Sequence, residues 1–457
     1  MPDTANDNES PSDAAEPKKR KYKKNRENNR NKFDDYIDKP THTLEPDDFT
    51  TGDVCPCCNQ GKFYPSEDRK LLQFHGSPSV DASRYIKKAL RCNFCSKEVV
   101  AKGNIEKWTN SAKTSVALQK SSGIPFHRLS RLQSAYGVPI SESKLWELCK
   151  SLWDEAAYYI YKELINTMSQ CKTLYIDDTR ARVLDVISSN NKNLREGKEK
   201  EKSCYSTVVC GETSENDIII YITKQSYCGE NIAPIVQNGN INIMSDASSM
   251  NIPNIEAEQL STIVVFHCLA HAHRKFTDIA DYYPEECGYF IEQVRAIYAI
   301  DRKACEMDAL ERLTLHQENS TIYINNIYNK IDTLFAETLA EPSSHLGKAM
   351  KYWMKHRNGL TRFLVTPGVE LDNNRSERQL KRLILQRKNS LFFKTLSSSE
   401  VLSGLSSIIS TCIENKVNSY NYLNWLQENR REVTKDPSNY LPWSYLKCIN
   451  NTEKIAA

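Results

Sequence analysis

Residues 173–178, TLYIDD, run a short apolar strand into two carboxylates, and residues 241–247, INIMSDA, repeat the pattern and reach Asp246. A carboxylate at the end of a central strand stands at the sheet edge where α/β folds bind their ligands. Between these stretches, CYSTVVCG (204–211) and DIIIYIT (217–223) are further β-rich runs, and GENIAPIVQN (229–238) reads as a helix. A last apolar run, TIVVFHC (262–268), leads into AHAHRKF. The polar stretch 188–202, SSNNKNLREGKEKEK, reads as a surface loop. Residues 278–363 read as mostly helical, and 373–388 as an amphipathic helix containing Glu377. A strand-rich block followed by strand–helix alternation points to one mixed α/β domain over 171–400, with a helical insertion at about 278–363 before its last helix.

Three carboxylates stand out. Two divalent ions roughly 3.5–4 Å apart activate an oxygen nucleophile and stabilise a leaving oxygen in phosphodiester chemistry, and carboxylates are the natural hard-oxygen ligands for Mg²⁺. Asp177 and Asp246 lie at strand ends, and Glu377 lies on a helix beside Asp372-Asn373-Asn374 and a basic face. Each also has an ordinary reading. A strand-end Asp serves as a turn or cap residue, and a Glu in a basic helix as an intrahelical ion-pair partner. Asp178 competes with Asp177. Alternation puts the two on opposite faces of the strand, so only one points into a site. Asn373 and Asn374 are candidate caps for the Glu377 helix.

Working outward, apolar residues recur at helical spacing from 111 to 170: Leu129 and Leu132, then Leu145, Leu148 and Leu152. Gly137-Val138-Pro139 breaks the run, and Ser141 is placed to cap the next helix. Helix, short turn, helix fits a DNA-binding helix-turn-helix and equally an ordinary bundle. Residues 401–457 read as a C-terminal helical region. Over 51–110, short strand-like pieces are bracketed by Cys55-Pro-Cys-Cys58 and Cys92-Asn-Phe-Cys95. Two CxxC knuckles supply four soft ligands for structural Zn²⁺, from Cys55, Cys58, Cys92 and Cys95, with Cys57 a spare. The interval exceeds the usual ribbon spacing of roughly 15–20 residues and implies a longer loop.

Residues 1–50 hold very few large apolar side chains, a composition expected to be disordered. Within them KKRKYKKNRENNRNK (18–32) is strongly basic, and RQLKRLILQRK (378–388) is a second basic cluster. Arg378, Lys381, Arg382, Arg387 and Lys388 are candidate phosphate grips, or a solvated helix face. Net charge is only +3, so local rather than global charge points to nucleic acid. No apolar run approaches the ~20 residues that span a bilayer, and the polar start of the chain has no apolar signal core. A cytoplasmic protein is therefore expected. There the fifteen cysteines stay reduced, and close pairs read as metal ligands rather than disulfides.

Five segments resemble bacterial transposases of the insertion-sequence-sixty-six type, over about residues 51–445. YIDDTRARVL (175–184) resembles the family's first-aspartate segment, CGENIAPIV (228–236) its Gly-Glu-Asn helix, and IMSDA (243–247) its second-aspartate strand. FHCLAHAHRKF (266–276) resembles its Cys-x-x-His-Ala-x-Arg-Lys-Phe segment, with Leu269 where Trp is usual. GVELDNNRSERQLKRLILQRKNSLFF (368–393), the fifth, resembles its third-carboxylate segment. In addition to the five, Leu441-Pro442-Trp443 resembles its C-terminal Leu-Pro-Trp. The family often begins with a zipper-like helix, which the charged tail here replaces. Asp178 stands where Glu is usual.

The resemblance implies a ribonuclease-H-like DDE catalytic domain preceded by a zinc-ribbon-like module. It implies Asp177, Asp246 and Glu377 as ligands of catalytic Mg²⁺ or Mn²⁺, and it selects Asp177 over Asp178. The implied activity is metal-dependent cleavage and strand transfer on double-stranded DNA, at element ends and target, in a nucleoid-associated homo-oligomeric synaptic complex that accessory proteins can join. Alternatives are a metal-dependent nuclease or resolvase of the same fold, a catalytically silent DNA-binding regulator, and a zinc-ribbon scaffold. His267, Cys268, His271 and His273 form a dense cluster, read either as a second metal site or as packing beside the active site.

Overall fold

The computed structural model describes residues 50–65, 79–91, 98–102, 105–199, 202–304, 306–337 and 339–456. The tail up to residue 49, and Cys92 and Cys95, lie outside the described residues. The chain divides into two compact units, 1–77 and 78–457. In the first, Val54 bridges antiparallel to Lys62, the Cys55 N–H donates to the Gly61 carbonyl (2.8 Å) and the Asn59 N–H to the Cys55 carbonyl (2.8 Å). Asn59 closes this knuckle in the left-handed region (φ 51°), which Asn tolerates better than most residues.

The second unit opens with a hairpin, β1 (Ala89–Arg91) against β2 (Glu98–Val100). Helices α1 (Asn110–Ser121), α2 (Phe126–Ala135), α3 (Glu142–Leu152) and α4 (Tyr158–Met168) follow, with a π-helical turn Trp153–Ala157 joining α3 to α4. Ser141 accepts from the Lys144 N–H and starts α3, as its position after the Gly-Val-Pro break predicts.

The central sheet has strands β3 (Thr173–Ala181), β4 (Cys204–Glu212), β5 (Asp217–Lys224), β6 (Asn242–Ser245) and β7 (Val264–His267), in the order β5-β4-β3-β6-β7. β4 is antiparallel to β3 and β5, whereas β6 and β7 run parallel to β3. Helix α5 (Leu184–Arg195) fills much of the stretch expected as a loop. Only Val186 of α5 is buried, so there is little apolar stripe for a sequence pattern to detect. α6 (Cys228–Val236) and the short α7 (Ala257–Ser261) connect the parallel strands.

Alternation along β3 assigns the two faces of the sheet. Leu174 and Ile176 share a core with α1, α3, α4, α6 and the later helices α15 (Leu396–Glu414) and α16 (Ser419–Glu428). Tyr175 faces the other way, into a cluster with Val208, Tyr221, Met244 and Phe266 of the sheet and Leu380 and Leu383 of α14 (Asn374–Ser390). Between α8 (Leu269–Thr277) and α14 lie α9 (Pro284–Asp301), α10 (Ala309–Asn319), α11 (Thr321–Ala336), α12 (His345–Lys355) and α13 (Arg357–Thr361). With α8 they build a separate core around Phe276, Phe290, Tyr328 and Trp353. The chain ends with α17 (Arg430–Val433) and α18 (Pro442–Ala456).

β5 is an edge strand, and an exposed edge is a template for unwanted pairing. Here α15 covers it. The N–H groups of Asp217, Ile219 and Tyr221 donate to Asn415 Oδ1 (3.0 Å), Thr411 Oγ1 (3.0 Å) and Ser407 Oγ (2.8 Å). Four helical residues rise about 6 Å and two strand residues about 6.7 Å, so a polar side chain every fourth position keeps step with the edge. That match accounts for Ser407 and Thr411, buried polar residues four apart on α15. On the same helix Gly404 makes room for Trp153, since an added Cβ would lie 2.1 Å from the indole ring.

Candidate active site

The site gathers where β3, β6 and β7 end. The parallel pairing of β3 with β6 stops at Tyr175 and Met244, and that of β6 with β7 at Ser245 and His267. Beyond those pairs stand Asp177 and Asp178 on β3, Asp246 after β6 and Cys268 after β7. Asp177 follows the Tyr175 alternation and shares its face with α14, whose first turn carries Glu377. Asp178 lies on the face of α6, and its negative charge acts on the Cys228 thiol there.

Electrostatics bear out this placement. Burial, followed by the charges of Asp246, Glu377 and Asp178, drives the Asp177 carboxyl up to about 7, although the Asp178 N–H donates to its Oδ1 (2.9 Å). Asp178 rises to about 6, through burial and then Asp246, without a contribution from Glu377. Burial first, and the neighbouring negative charges second, thus disfavour ionisation of these carboxyls. Asp246 is positioned by its own loop. Its Oδ1 accepts from the Ser248 N–H (3.1 Å) and from the Asn251 side-chain amide.

α14 is tied to the sheet at its start. Asn373 is fully buried at the N-cap position, yet its side chain makes no cap bond. Its amide reaches the Ile176 carbonyl instead (2.7 Å). The turn is closed by Asp372, whose Oδ1 accepts from the Asn374 N–H (3.0 Å).

Beside the carboxylates lies a His/Cys group. Among the described residues, the one trio of potential metal ligands whose donor atoms all fall within 4.8 Å of one another is Cys268, His271 and Glu377. The sequence cluster of His267, Cys268, His271 and His273 therefore divides. His267 turns to His356 (ring centroids 5.1 Å apart) and packs on Gly359, where an added Cβ would lie 2.2 Å from its ring. Burial, with His356 and Arg362 nearby, pushes its pKa down to about 4, so it is neutral at physiological pH. His273 is also pulled down, by burial and Arg295. The proximity of Glu377 to Cys268 and His271 escaped sequence reasoning.

Of the basic candidates on α14, Arg378, Lys381 and Lys388 are exposed. Arg382 reaches Ser410 Oγ (3.0 Å) and Glu414 (3.5 Å), and Arg387 holds Thr179 Oγ1 (2.8 Å) and the Arg180 carbonyl (2.7 Å). A cavity of about 870 Å³ adjoins this end of β3, lined by Lys120, Phe126, Arg128, Trp146, Arg180 and Arg387 among others. In the N-terminal unit the N–H groups of Gly61 and Gln60 and the Cys55 side chain hold the exposed Cys58 thiol below its ordinary range, as suits a thiolate ligand. No helix among the described residues is long and apolar enough to cross a membrane.

Comparison with known proteins adds one family. The family described as Transposase IS66 family matches residues 107–400, a stretch holding the sheet, the helical insertion and α14. Among curated proteins, Uncharacterized protein y4jD of Sinorhizobium fredii is 29% identical over 185 residues, covering 39% of this chain and 35% of that protein. Uncharacterized protein y4qI of the same organism is 26% identical over 192 residues, covering 40% and 34%. Uncharacterized protein y4hP is 24% identical over 220 residues, covering 44% and 39%. The chain thus spans between a third and two fifths of the curated relatives it matches. No solved structure gives a significant match.

Proposed function

The chain belongs to the IS66 family of transposases, and from that premise we propose that it cuts and joins DNA strands at a divalent-metal centre formed by Asp177, Asp246 and Glu377. What supports the reading is that Asp177 and Asp246 stand at the ends of two adjacent parallel strands, and that the charges of Asp246 and Glu377 reach Asp177, whose carboxyl is raised to about 7 by burial first and then by those neighbours. Carboxylates that are buried and raise one another's pKa fit a site that receives a cation. The buried Glu377 Oε1 and Asp178 Oδ2 have no hydrogen-bond partner, as ligand or near-ligand oxygens would in the metal-free chain.

In this reading Asp177, Asp246 and Glu377 hold Mg²⁺ or Mn²⁺, and Asp178 supports the site from the opposite face. The metal, when bound, activates water or a DNA 3′-hydroxyl and stabilises the departing oxygen. Ser248 and Asn251 fix the Asp246 carboxylate, and Asn373 ties the start of α14, which carries Glu377, to the end of β3. The sheet order β5-β4-β3-β6-β7 with β4 antiparallel supports a ribonuclease-H-like domain. Exposed Arg378, Lys381 and Lys388 grip backbone phosphates, while Arg382 and Arg387 brace α14. The Cys55–Cys58 knuckle supplies thiol ligands for a structural Zn²⁺. The protein works in the cytoplasm on double-stranded DNA, as a homo-oligomer that pairs two element ends.

The test is incubation of purified protein with labelled DNA carrying the ends that flank its own gene, with Mg²⁺ or Mn²⁺. Joined products that need the metal are expected. Metal-dependent cleavage without joining would assign a nuclease instead, and tight binding without either reaction a regulator.

A further inference from the structure

We infer that Cys268, His271 and Glu377 form a second cation site, selective for a borderline-soft divalent ion such as Zn²⁺ or Co²⁺ over Mg²⁺. The ligand set is new. Thiolate and imidazole favour zinc and its neighbours, whereas Mg²⁺ takes oxygen. The site shares Glu377 with the carboxylate centre and has two ligands of its own.

The geometry carries the inference. His271 Nδ1 lies 3.6 Å from Glu377 Oε1. That is too long for a hydrogen bond. It is close to the ligand–ligand edge of roughly 3.4 Å expected for a tetrahedral ion with bonds of about 2.0–2.1 Å. Both atoms are buried, and neither has a hydrogen-bond partner. Two facing, unsatisfied polar atoms inside a protein are costly unless something sits between them. The third donor, Cys268 Sγ, is buried and within 4.8 Å of both.

Local structure explains how the three meet. Cys268 is the N-cap of α8 and His271 lies in its first turn, so Cys-x-x-His brings two donors round one turn of backbone. The first turn of α14 brings Glu377. Two bonds clamp the helix starts together: the Leu269 N–H to the Leu371 carbonyl (2.9 Å) and the Asn373 N–H to Cys268 Sγ (3.2 Å). Burial pushes the Cys268 thiol up to about 11, so an ion binding there displaces its proton. Three protein ligands leave a fourth position open to water.

Occupancy has a consequence that rests on the proposed function. An ion held by Cys268 and His271 draws Glu377 away from Asp177, so zinc would inhibit Mg²⁺-dependent strand transfer, and Cys268→Ser would relieve that inhibition.

The binding test needs no DNA. Full-length protein stripped of metal is titrated with Co²⁺ while the sulfur-to-cobalt absorption band and the number of ions bound are followed. Cys268→Ser and His271→Ala should each bind one Co²⁺ fewer, or bind it more than about tenfold more weakly, and Cys268→Ser should lose part of the band. Cys210→Ser, at another buried cysteine, should match the wild type. Equal stoichiometry, affinity and band in the wild type, Cys268→Ser and His271→Ala would overturn the site. If Cys268→Ser does not fold, the His271→Ala stoichiometry decides. Loss of strand transfer plays no part in this readout, so the catalytic reading and the cation site can fail separately.

Discussion

The side-chain amide of Asn373 donates to the carbonyl of Ile176 at 2.7 Å, one residue before Asp177 and four before Glu377. The bond falls where β3 has lost its partner on the β6 side, since pairing with β6 ends one residue earlier at Tyr175 while pairing with β4 continues. A carbonyl left over at the end of a parallel ladder must find a donor, and here the donor comes from the helix carrying the third carboxylate. One interaction thus satisfies the end of the strand and ties down the start of α14, where the proposed centre has Glu377.

Asn373→Ala should therefore act on both. With Asn373 fully buried, the lost bond and the unsatisfied carbonyl should destabilise the protein by about 1–3 kcal/mol. Strand transfer should fall further than stability explains, because α14 is no longer tied to β3. Urea unfolding followed by strand transfer at a temperature where the variant is folded would check this. Wild-type behaviour in both would refute the alignment role.

Asp177→Asn should stabilise the metal-free protein at neutral pH while removing activity. The folded-state pKa of about 7 exceeds the ordinary 3.8. The folded chain therefore retains a proton that the unfolded chain releases. This carboxyl costs least in acid, and stability declines as pH rises from about 4 to about 7. Each pKa unit corresponds to about 1.4 kcal/mol, and after solvent screening a gain on the order of 2 kcal/mol is expected at pH 8. Melting in a chelator at pH 8 should favour the variant, with the gap closing toward pH 4. Mg²⁺ should raise the wild-type midpoint more than that of the variant. A variant less stable than wild type at pH 8 would contradict this.

Thr411→Val should expose the edge of the sheet. Thr411 Oγ1 accepts from the Ile219 N–H and donates to the Ile219 carbonyl (3.2 Å). Val keeps the shape and removes both bonds, leaving an N–H and a carbonyl buried without partners, at a cost of about 1–3 kcal/mol. Equilibrium unfolding measures the loss. A variant as stable as wild type would mean that α15 does not serve as the sixth member of the sheet edge.

Much of this was legible in the chain and some was not, for reasons that follow from distance and pattern. The strands that end near Asp177 and Asp246 were legible because an apolar run ending in a carboxylate is a local signal, and the Ser141 cap because capping chemistry is local too. α5 was hidden by its polarity: with Val186 alone buried, it lacks the stripe that marks a helix. The edge-capping residues of α15 read as an ordinary Ser-rich helix until β5 lay beside them. The meeting of Cys268 with the start of α14 joins residues about a hundred positions apart, 105 in the case of the Asn373–Cys268 bond. A five-helix insertion with its own core intervenes. No spacing rule spans such a gap. Asn373 looked like a cap and became a crosslink because the end of β3 offered a better acceptor than its own helix.

The most direct test of the central claim compares Asp246→Asn with the wild type for DNA binding and for strand transfer, in Mg²⁺ and at matched protein concentration. The change removes a negative ligand and little volume, and the neutral side chain keeps an oxygen for Ser248 and Asn251. The account predicts binding of the element ends within about threefold of wild type, since phosphate contacts supply most of that affinity, together with no detectable joined product. Joining at the wild-type rate by purified Asp246→Asn protein would contradict it.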